Sequence, residues 1–276
     1  MHHYHDVHPT DLSHLDSAQL RGRFLIPSLF NRGTQNLSYW DVDRTVVGGV
    51  VPAETPIKLE TPANLAAASF CERRELGIIN LGGVGSVEVG AEIYHLGPDD
   101  GLYLGRGSAT PIFSSEDPAN PAQFYLLSYP AHTAYPTRVV RFADLVGTEL
   151  GSATTANERT IYKYIAPGLV ESCQLVMGFT IIAEGSVWNT MPPHTHLRRS
   201  EVYCYCRLSP ESVVMHFMGP PDQTRHLVVR DGDAVISPSW SIHAGAGTGA
   251  YAFVWGMGGE NQEFSDMDVV AISELN

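Results

Sequence analysis

Most of the chain after Asn36 consists of short apolar and β-branched runs that are separated by turn residues. In the first half, these runs predict strands at residues 37–42, 44–51, 76–80, 86–89, 101–104 and 122–128. In the second half, they predict strands at residues 160–165, 175–183, 201–207, 212–218, 226–229, 234–237 and 250–255. Many short runs of this kind, each bounded by turn residues, are typical of β-sandwiches and β-barrels. The pattern therefore predicts an all-β fold.

Two stretches interrupt this pattern. Residues 16–29 suit one helix, with Asp16 or Ser17 at its N-cap and Pro27 at its end. Residues 136–160 contain few apolar positions after Leu150, and we place a domain junction there. The length of 276 residues allows two domains of about 100–150 residues each. We therefore expect domains at residues 1–150 and 151–276.

The composition narrows the classes of partner. Charged residues make up 17% of the chain and the net charge is −13, so no basic surface is available to neutralise nucleic-acid phosphates. An acidic small-molecule substrate remains compatible, because it needs only a local basic pocket. No apolar window is long enough to span a membrane, and the N-terminus lacks the apolar core of a secretory signal. We expect a cytoplasmic protein with reduced thiols and no membrane partner.

The chemistry-bearing residues concentrate in the second half. His194 and His196 are two residues apart, so in extended chain their imidazoles project to one face. Glu201 follows after four intervening residues, which allows a bend and a returning strand. A further histidine, His243, follows a segment that is framed by Gly232 and Pro238. Three imidazoles and one carboxylate suit Zn²⁺, Mn²⁺, Fe²⁺ or Ni²⁺.

The two halves share a weak internal similarity. Residues 100–105 and 233–238 each begin with an acidic turn, continue as an apolar strand and end in a break. Aligned in this way, His243 falls opposite Thr110. The similarity suggests two related barrels, of which only the second kept metal ligands.

The order His-x-His-x4-Glu, followed by Gly-x5-Pro-x4-His, resembles the two motifs of the cupins. The chain departs from the usual cupin residues at Leu208, Trp240 and Gly247. Several longer stretches resemble the 5-keto-4-deoxyuronate isomerases of pectin breakdown. These stretches are residues 44–49 and 130–133 in the first half and 188–192, 201–203, 224–226, 237–243 and 255–262 in the second.

This resemblance implies two cupin-type β-barrels, a short N-terminal helical segment and usually a hexamer. It implies one zinc ion on His194, His196, Glu201 and His243. The implied reaction is the aldose–ketose isomerisation of a 4-deoxy-5-keto-hexuronate in pectin and uronate catabolism. A divalent cation suits this reaction, because negative charge develops on the substrate oxygens.

Other residues are candidates for proton transfer or for binding the substrate carboxylate. His226 is a candidate base, although a packed histidine on a strand explains it equally well. Lys163, one of two lysines, either binds a carboxylate or lies on the surface. Arg199 is the first choice for the carboxylate, because it lies between His196 and Glu201. Arg198 and Arg225 are its alternatives, since guanidinium geometry suits bidentate carboxylate binding.

Three other functions remain open from the sequence. The first is the isomerisation of 5-deoxyglucuronate in inositol breakdown. The second is a cupin dioxygenase that uses Fe²⁺, and the third is a non-enzymatic cupin that binds or stores sugar. The four retained candidate ligands count against the third alternative.

Overall fold

The computed structural model describes residues 1–276, which form 24 strands, one α-helix and six short 3-10 helices. The α-helix is α1 (Ser17–Phe24), and the 3-10 helices are Pro9–His14, Val42–Arg44, Ala63–Leu65, Phe142–Asp144, Ala153–Thr155 and Ile272–Glu274. The first twelve strands are β1 (His2–Tyr4), β2 (Leu25–Ile26), β3 (Thr34–Trp40), β4 (Thr45–Val51), β5 (Ile57–Lys58), β6 (Arg74–Asn80), β7 (Gly85–Val89), β8 (Glu92–Leu96), β9 (Gly101–Leu104), β10 (Ile112–Ser115), β11 (Phe124–Pro130) and β12 (Arg138–Val140). The others are β13 (Thr148–Leu150), β14 (Arg159–Ile165), β15 (Val176–Ile182), β16 (Trp188–Asn189), β17 (His194–Thr195), β18 (Arg199–Cys206), β19 (Val214–Gly219), β20 (Arg225–Val229), β21 (Ala234–Ser237), β22 (Ile242–Gly247), β23 (Ala252–Gly259) and β24 (Asp268–Val269). The predicted all-β fold is confirmed.

The backbone packs into two compact units, and the chain passes between them more than once. The first unit contains residues 1–3, 29–145 and 164–175, and the second contains residues 4–28, 146–163 and 176–276. One passage, after Leu145, lies close to the predicted junction at residue 150. The chain also crosses between the units at other points, and the predicted single boundary does not account for these crossings.

Both units have the same strand order. The first has a seven-stranded sheet, β1-β3-β4-β11-β6-β9-β12, and a four-stranded sheet, β5-β10-β7-β8. The second has β13-β14-β15-β23-β18-β21-β2 and β16-β22-β19-β20, with a small additional pair, β17-β24. In the first unit, apolar residues of both sheets form one buried core, as Val46 and Leu126 do with Val87 and Phe113. The first unit is therefore one β-barrel of two facing sheets, and the second unit repeats its strand order.

The strand registers show which positions correspond between the units. Ile79 pairs with Gly101 in the first unit, and Cys204 pairs with Ala234 in the second. On β6, Leu76 lies three residues before Ile79. On β18, Glu201 lies three residues before Cys204. The position that carries a carboxylate in the second unit thus carries a leucine in the first.

The N-terminal segment packs on the second unit. Asp16 caps α1 with a reciprocal capping box to Gln19, as the sequence predicts for the start of this helix. The helix ends at Phe24, because Leu25 and Ile26 extend and pair with β21. Pro27 contributes to this early end, since the residue before a proline disfavours helical backbone.

A buried carboxylate organises the first unit. Glu75 is fully buried and accepts hydrogen bonds from the backbone N–H groups of Cys173, Gln174 and Leu175. The Tyr103 hydroxyl also donates to it, at 2.8 Å. Four donors around one carboxylate compensate for its loss of hydration.

Glu75→Gln should lower the free energy of unfolding by about 2–4 kcal/mol, because an amide N–H₂ would replace an acceptor and face donors. Urea denaturation would measure the loss. The exposed Glu88 provides the control, and Glu88→Gln should change stability by less than about 0.5 kcal/mol. Equal stability of the Glu75 and Glu88 variants would contradict this account.

Candidate metal centre and its cavity

Four side chains from three strands and a loop meet in the second unit. His194 lies on β17, His196 on the following bend, Glu201 on β18 and His243 on β22. His194 Nε2 lies 3.0 Å from Nε2 of both His196 and His243. Glu201 Oε2 lies 3.2 Å from His196 Nε2 and 2.8 Å from His243 Nε2. The structure therefore brings together the four residues that the sequence nominated as metal ligands.

The spacing of these atoms fits a divalent cation. Ligand atoms about 2.1 Å from an ion and roughly at right angles to each other are about 3.0 Å apart. The donor set of three imidazoles and one carboxylate is common for transition metals. Imidazole nitrogens that face one another at 3.0 Å bring their lone pairs together, and a shared cation relieves that repulsion.

Hydrogen bonds on the outer side fix two of the imidazoles. His196 Nδ1 donates to the backbone carbonyl of Asp266 at 2.8 Å. His243 Nδ1 faces the Ser237 hydroxyl at 3.4 Å. The Asp266 carbonyl can only accept, so it selects the His196 tautomer that leaves Nε2 free for a metal.

The surroundings lower the pKa values of two of the ligands. Burial, followed by the neighbouring imidazoles of His243 and His196, lowers the pKa of His194 to about 2. Burial alone would raise the pKa of Glu201, but His243 and His196 outweigh it and lower this pKa below its usual range. At neutral pH these two shifts favour a neutral His194 imidazole and an ionised Glu201 carboxylate.

Three of the four ligands line a cavity of about 290 Å³. Most of its wall is apolar or aromatic, and the polar remainder includes two threonines, a tyrosine and an arginine. Besides the ligands His194, His196 and Glu201, the wall contains Leu150, Arg159, Ile161, Thr180, Thr190, Pro192, Tyr203, Phe253, Trp255, Met257, Phe264, Met267 and Val269. This volume suits a small organic molecule.

Two hydroxyl contacts order the aromatic wall. The Tyr203 hydroxyl lies 3.0 Å from the Thr190 hydroxyl, and the Trp255 indole donates to Thr180 at 3.1 Å. A side chain at Gly178 would collide with this indole, since its Cβ would lie 2.1 Å from Trp255. Glycine on β15 therefore makes room for the ring on β23.

Part of the cavity is covered by the segment 261–270, which contributes Phe264, Met267 and Val269. Its β24 pairs with β17, the strand that carries His194. Arg198 makes a bidentate ion pair with Asp266, in which Nε donates to Oδ2 at 2.9 Å and Nη2 donates to Oδ1 at 2.5 Å. Arg198, one of the alternatives for carboxylate binding, thus anchors the covering segment.

Arg199, the first choice for the substrate carboxylate, is not among the residues that line the cavity. Only 1% of it is exposed, and it donates to the Asp266 carbonyl that also accepts from His196. By strand register it corresponds to Arg74 of the first unit, which is also buried and donates to backbone carbonyls. A buried arginine at this position is therefore common to both barrels.

The other three candidates do not line the cavity. His226 is exposed on β20. Arg225 donates to the carbonyls of Leu12 and Leu15, and so holds the N-terminal segment. Lys163 is exposed, with its ammonium 4.3 Å from the centre of the Phe264 ring, beside the cavity wall.

Sequence reasoning missed Arg159. It is the first residue of β14 and lines the cavity together with Ile161, two positions later. Side-chain alternation along this strand places Arg159 on the same face as Lys163, which the sequence indicated as a candidate for carboxylate binding. This shared face was the signal in the sequence that could have identified Arg159.

Another buried histidine, His216, lies outside the ligand set. His216 is fully buried, with Nδ1 2.7 Å from the Tyr205 hydroxyl and with Nε2 lacking a hydrogen-bond partner. Burial, followed by the nearby His243, lowers the pKa of His216 to about 3. The folded protein therefore holds this imidazole neutral where the unfolded chain would protonate it, below about pH 6.5.

In metal-free protein, the titration of His216 should lower the free energy of unfolding by about 2 kcal/mol as the pH falls from 7 to 5. The sign follows because the unfolded state binds more protons in this interval, so stability falls as the pH falls. Urea denaturation at both pH values should show a smaller pH effect for His216→Asn than for the parent. His226→Asn, on the surface, should keep the parent's pH effect. An unchanged pH effect in His216→Asn would refute the assignment.

Comparison with known proteins assigns most of the chain to one family. Residues 24–272 match the model of the KduI/IolB family. A protein of Formosa agariphila called 4-deoxy-L-threo-5-hexosulose-uronate ketol-isomerase is 51% identical over 267 residues, which are 97% of this chain and 95% of that protein. A protein of the same name from Dickeya dadantii is 48% identical over 271 residues, 98% of each chain.

Solved structures resemble the fold at much lower identity. An IolB-like protein from Salmonella typhimurium LT2 superposes with a TM-score of 0.72 at 14% identity, covering 90% of this chain and 96% of that one. An oxalate decarboxylase from Lactobacillus farciminis, in a formate complex, gives 0.61 at 11% identity, covering 91% and 89%. The cupin-type barrels expected from the sequence are confirmed.

None of the helices has the length and apolar character that crossing a bilayer requires.

Proposed function

Because the chain belongs to the KduI/IolB family, we propose that it is a metal-dependent aldose–ketose isomerase. The proposed reaction converts 5-dehydro-4-deoxy-D-glucuronate to 3-deoxy-D-glycero-2,5-hexodiulosonate. The observation that carries the proposal is the meeting of His194, His196, Glu201 and His243, the first three of which line a substrate-sized cavity. Relatives about 50% identical over nearly their whole length bear the name of this activity.

The reaction moves one proton from C2 to C1 and another from the C2 hydroxyl to the C1 oxygen, and negative charge develops on these oxygens along the way. A divalent cation on the four ligands would supply Lewis acidity to those oxygens. We propose zinc as this ion, while Mn²⁺, Fe²⁺ and Ni²⁺ suit the same donors.

Two groups of the chain itself would contact the reacting end of the substrate. Glu201 is the only carboxylate that lines the cavity, and its role in this proposal is that of a ligand to the cation. Burial, with the charge of Glu201 next in size, raises the pKa of Tyr203 well above its usual value. Tyr203 therefore stays protonated, and its hydroxyl suits donation to a substrate oxygen.

The apolar wall has its own part in the reaction. Residues such as Phe253, Trp255 and Met257 exclude water from the bound sugar. A site with little water strengthens electrostatic interactions with charge that develops during the reaction. The proposal also includes a cytoplasmic homo-oligomer, a hexamer by resemblance, with an acidic sugar as its small-molecule partner.

Turnover of the keto-deoxyuronate by purified protein tests the proposal directly. The substrate can be generated from unsaturated digalacturonate, and the ketose product can be measured. Chelation should abolish turnover and readdition of one metal should restore it. Turnover of 5-deoxyglucuronate alone, or oxygen consumption with Fe²⁺, would instead support one of the alternatives.

His243→Ala should lower metal content and turnover together, because it removes one of four ligands and leaves the others facing an open position. We expect a loss of about 10–100-fold or more in metal affinity. Metal analysis after dialysis and steady-state kinetics would measure both quantities.

His226→Ala is the matched control for this experiment, since His226 is exposed and distant from the ligands in the sheet order. It should keep the metal content and turnover of the parent. Retention of full metal content after loss of both His194 and His243 would reject the proposed ligand set.

A further inference from the structure

The cavity contains a single permanent cation. Among the residues that line it, only Arg159 carries a fixed positive charge, and Glu201 is the only carboxylate. Arg159 is half-buried at the start of β14, opposite Leu150 of β13. Its neighbours on the wall are mostly apolar, so its charge is poorly screened by water.

Arg159 also lacks an acidic partner. Its described hydrogen bond is from Nη1 to the carbonyl of Asn157, at 2.8 Å. By contrast, Arg198 pairs with Asp266, and Arg141 pairs with Asp100. Burial lowers the pKa of Arg159, and only tyrosines, Tyr203 and Tyr251, oppose that effect. A half-buried guanidinium without a carboxylate leaves donors available to an anionic ligand.

We propose that Arg159 binds the carboxylate of the acidic sugar and so selects uronates over neutral sugars; this inference rests on the isomerase function proposed above. The reacting C1 and C2 lie at one end of the substrate, toward the four ligands. The carboxylate lies at the other end of the six-carbon chain. Arg159 would hold that end against the wall formed with Leu150 and Ile161.

The electrostatics of the chain favour a local cation of this kind. With a net charge of −13, the protein gives no long-range attraction to an anion. A carboxylate that enters a mostly apolar cavity loses hydration, and it needs a charged partner to offset that loss. Lys163 shares the strand face of Arg159 but is exposed, where water and salt screen its charge.

The test compares two substrates on three proteins. The substrates are the keto-deoxyuronate and its analogue in which a hydroxymethyl group replaces the carboxylate. The proteins are the parent, Arg159→Met and Lys163→Met. Methionine keeps the apolar stem of either residue and removes only the charge. Metal content is measured for each protein.

For Arg159→Met we expect kcat/KM for the uronate to fall by about 30- to 1,000-fold, as when one partner of a buried charge pair is removed. The value for the neutral analogue should stay within about threefold of the parent. Metal content should be unchanged. Arg159→Lys should restore part of the loss, because an ammonium cannot form the planar fork. Lys163→Met should alter both substrates by less than threefold.

Equal losses on both substrates would overturn the proposal, since a structural role affects both alike. An unchanged kcat/KM for the uronate would also overturn it.

If the parent fails to turn over the uronate, the isomerase function itself is wrong. Calorimetry with D-glucuronate then decides the role of Arg159. Binding that Arg159→Met abolishes would support carboxylate recognition, and binding that is equal or absent in both proteins would reject it.

Discussion

Three imidazole nitrogens and one carboxylate oxygen face one another at 2.8–3.2 Å in the second unit. Strands and hydrogen bonds of that unit keep them in this arrangement. Their lone pairs point to a common centre, so the arrangement is stable only if the scaffold resists their repulsion or a cation neutralises it. Strands β17, β18 and β22 each bring one ligand or more to this centre. The Asp266 carbonyl and the Ser237 hydroxyl then fix ring orientations from outside.

The two barrels show that this centre is a local elaboration of a shared scaffold. Both have the same strand order, and their corresponding strands carry a buried arginine at the same register. Two positions later, the second barrel has Glu201 and the first has Leu76. The scaffold thus tolerates either a ligand or an apolar core residue at one position, while the arginine remains in both.

The sequence predicted the strand-rich fold and nominated the four ligands, because both depend on short-range spacing. Alternation places His194 and His196 on one face, and runs of β-branched residues mark strands whatever their partners are. Strand β22 was missed, since its sequence Ile-His-Ala-Gly-Ala-Gly has few strong strand formers. The start of the helix was predicted correctly from Asp16, but its end depended on the pairing of Leu25 and Ile26 with β21.

The cations were harder to place, because their roles depend on long-range contacts. Arg199 is adjacent in sequence to two ligands, yet its guanidinium turns to the carbonyl of Asp266. Arg225 lies next to a histidine and instead binds carbonyls of Leu12 and Leu15. Arg159 is far from every ligand in sequence, and only the sheet order of β14, β15, β23 and β18 brings it to the same cavity.

Residue 266 serves the centre through two separate parts of one amino acid. Its side chain binds Arg198, whereas its backbone carbonyl accepts from His196 and Arg199. Every amino acid supplies that carbonyl, so mutation can change the ion pair without deleting the acceptor that orients the ligand. Evolution can therefore retune how firmly the covering segment is anchored at residue 266 while the chemical partner of His196 is inherited unchanged.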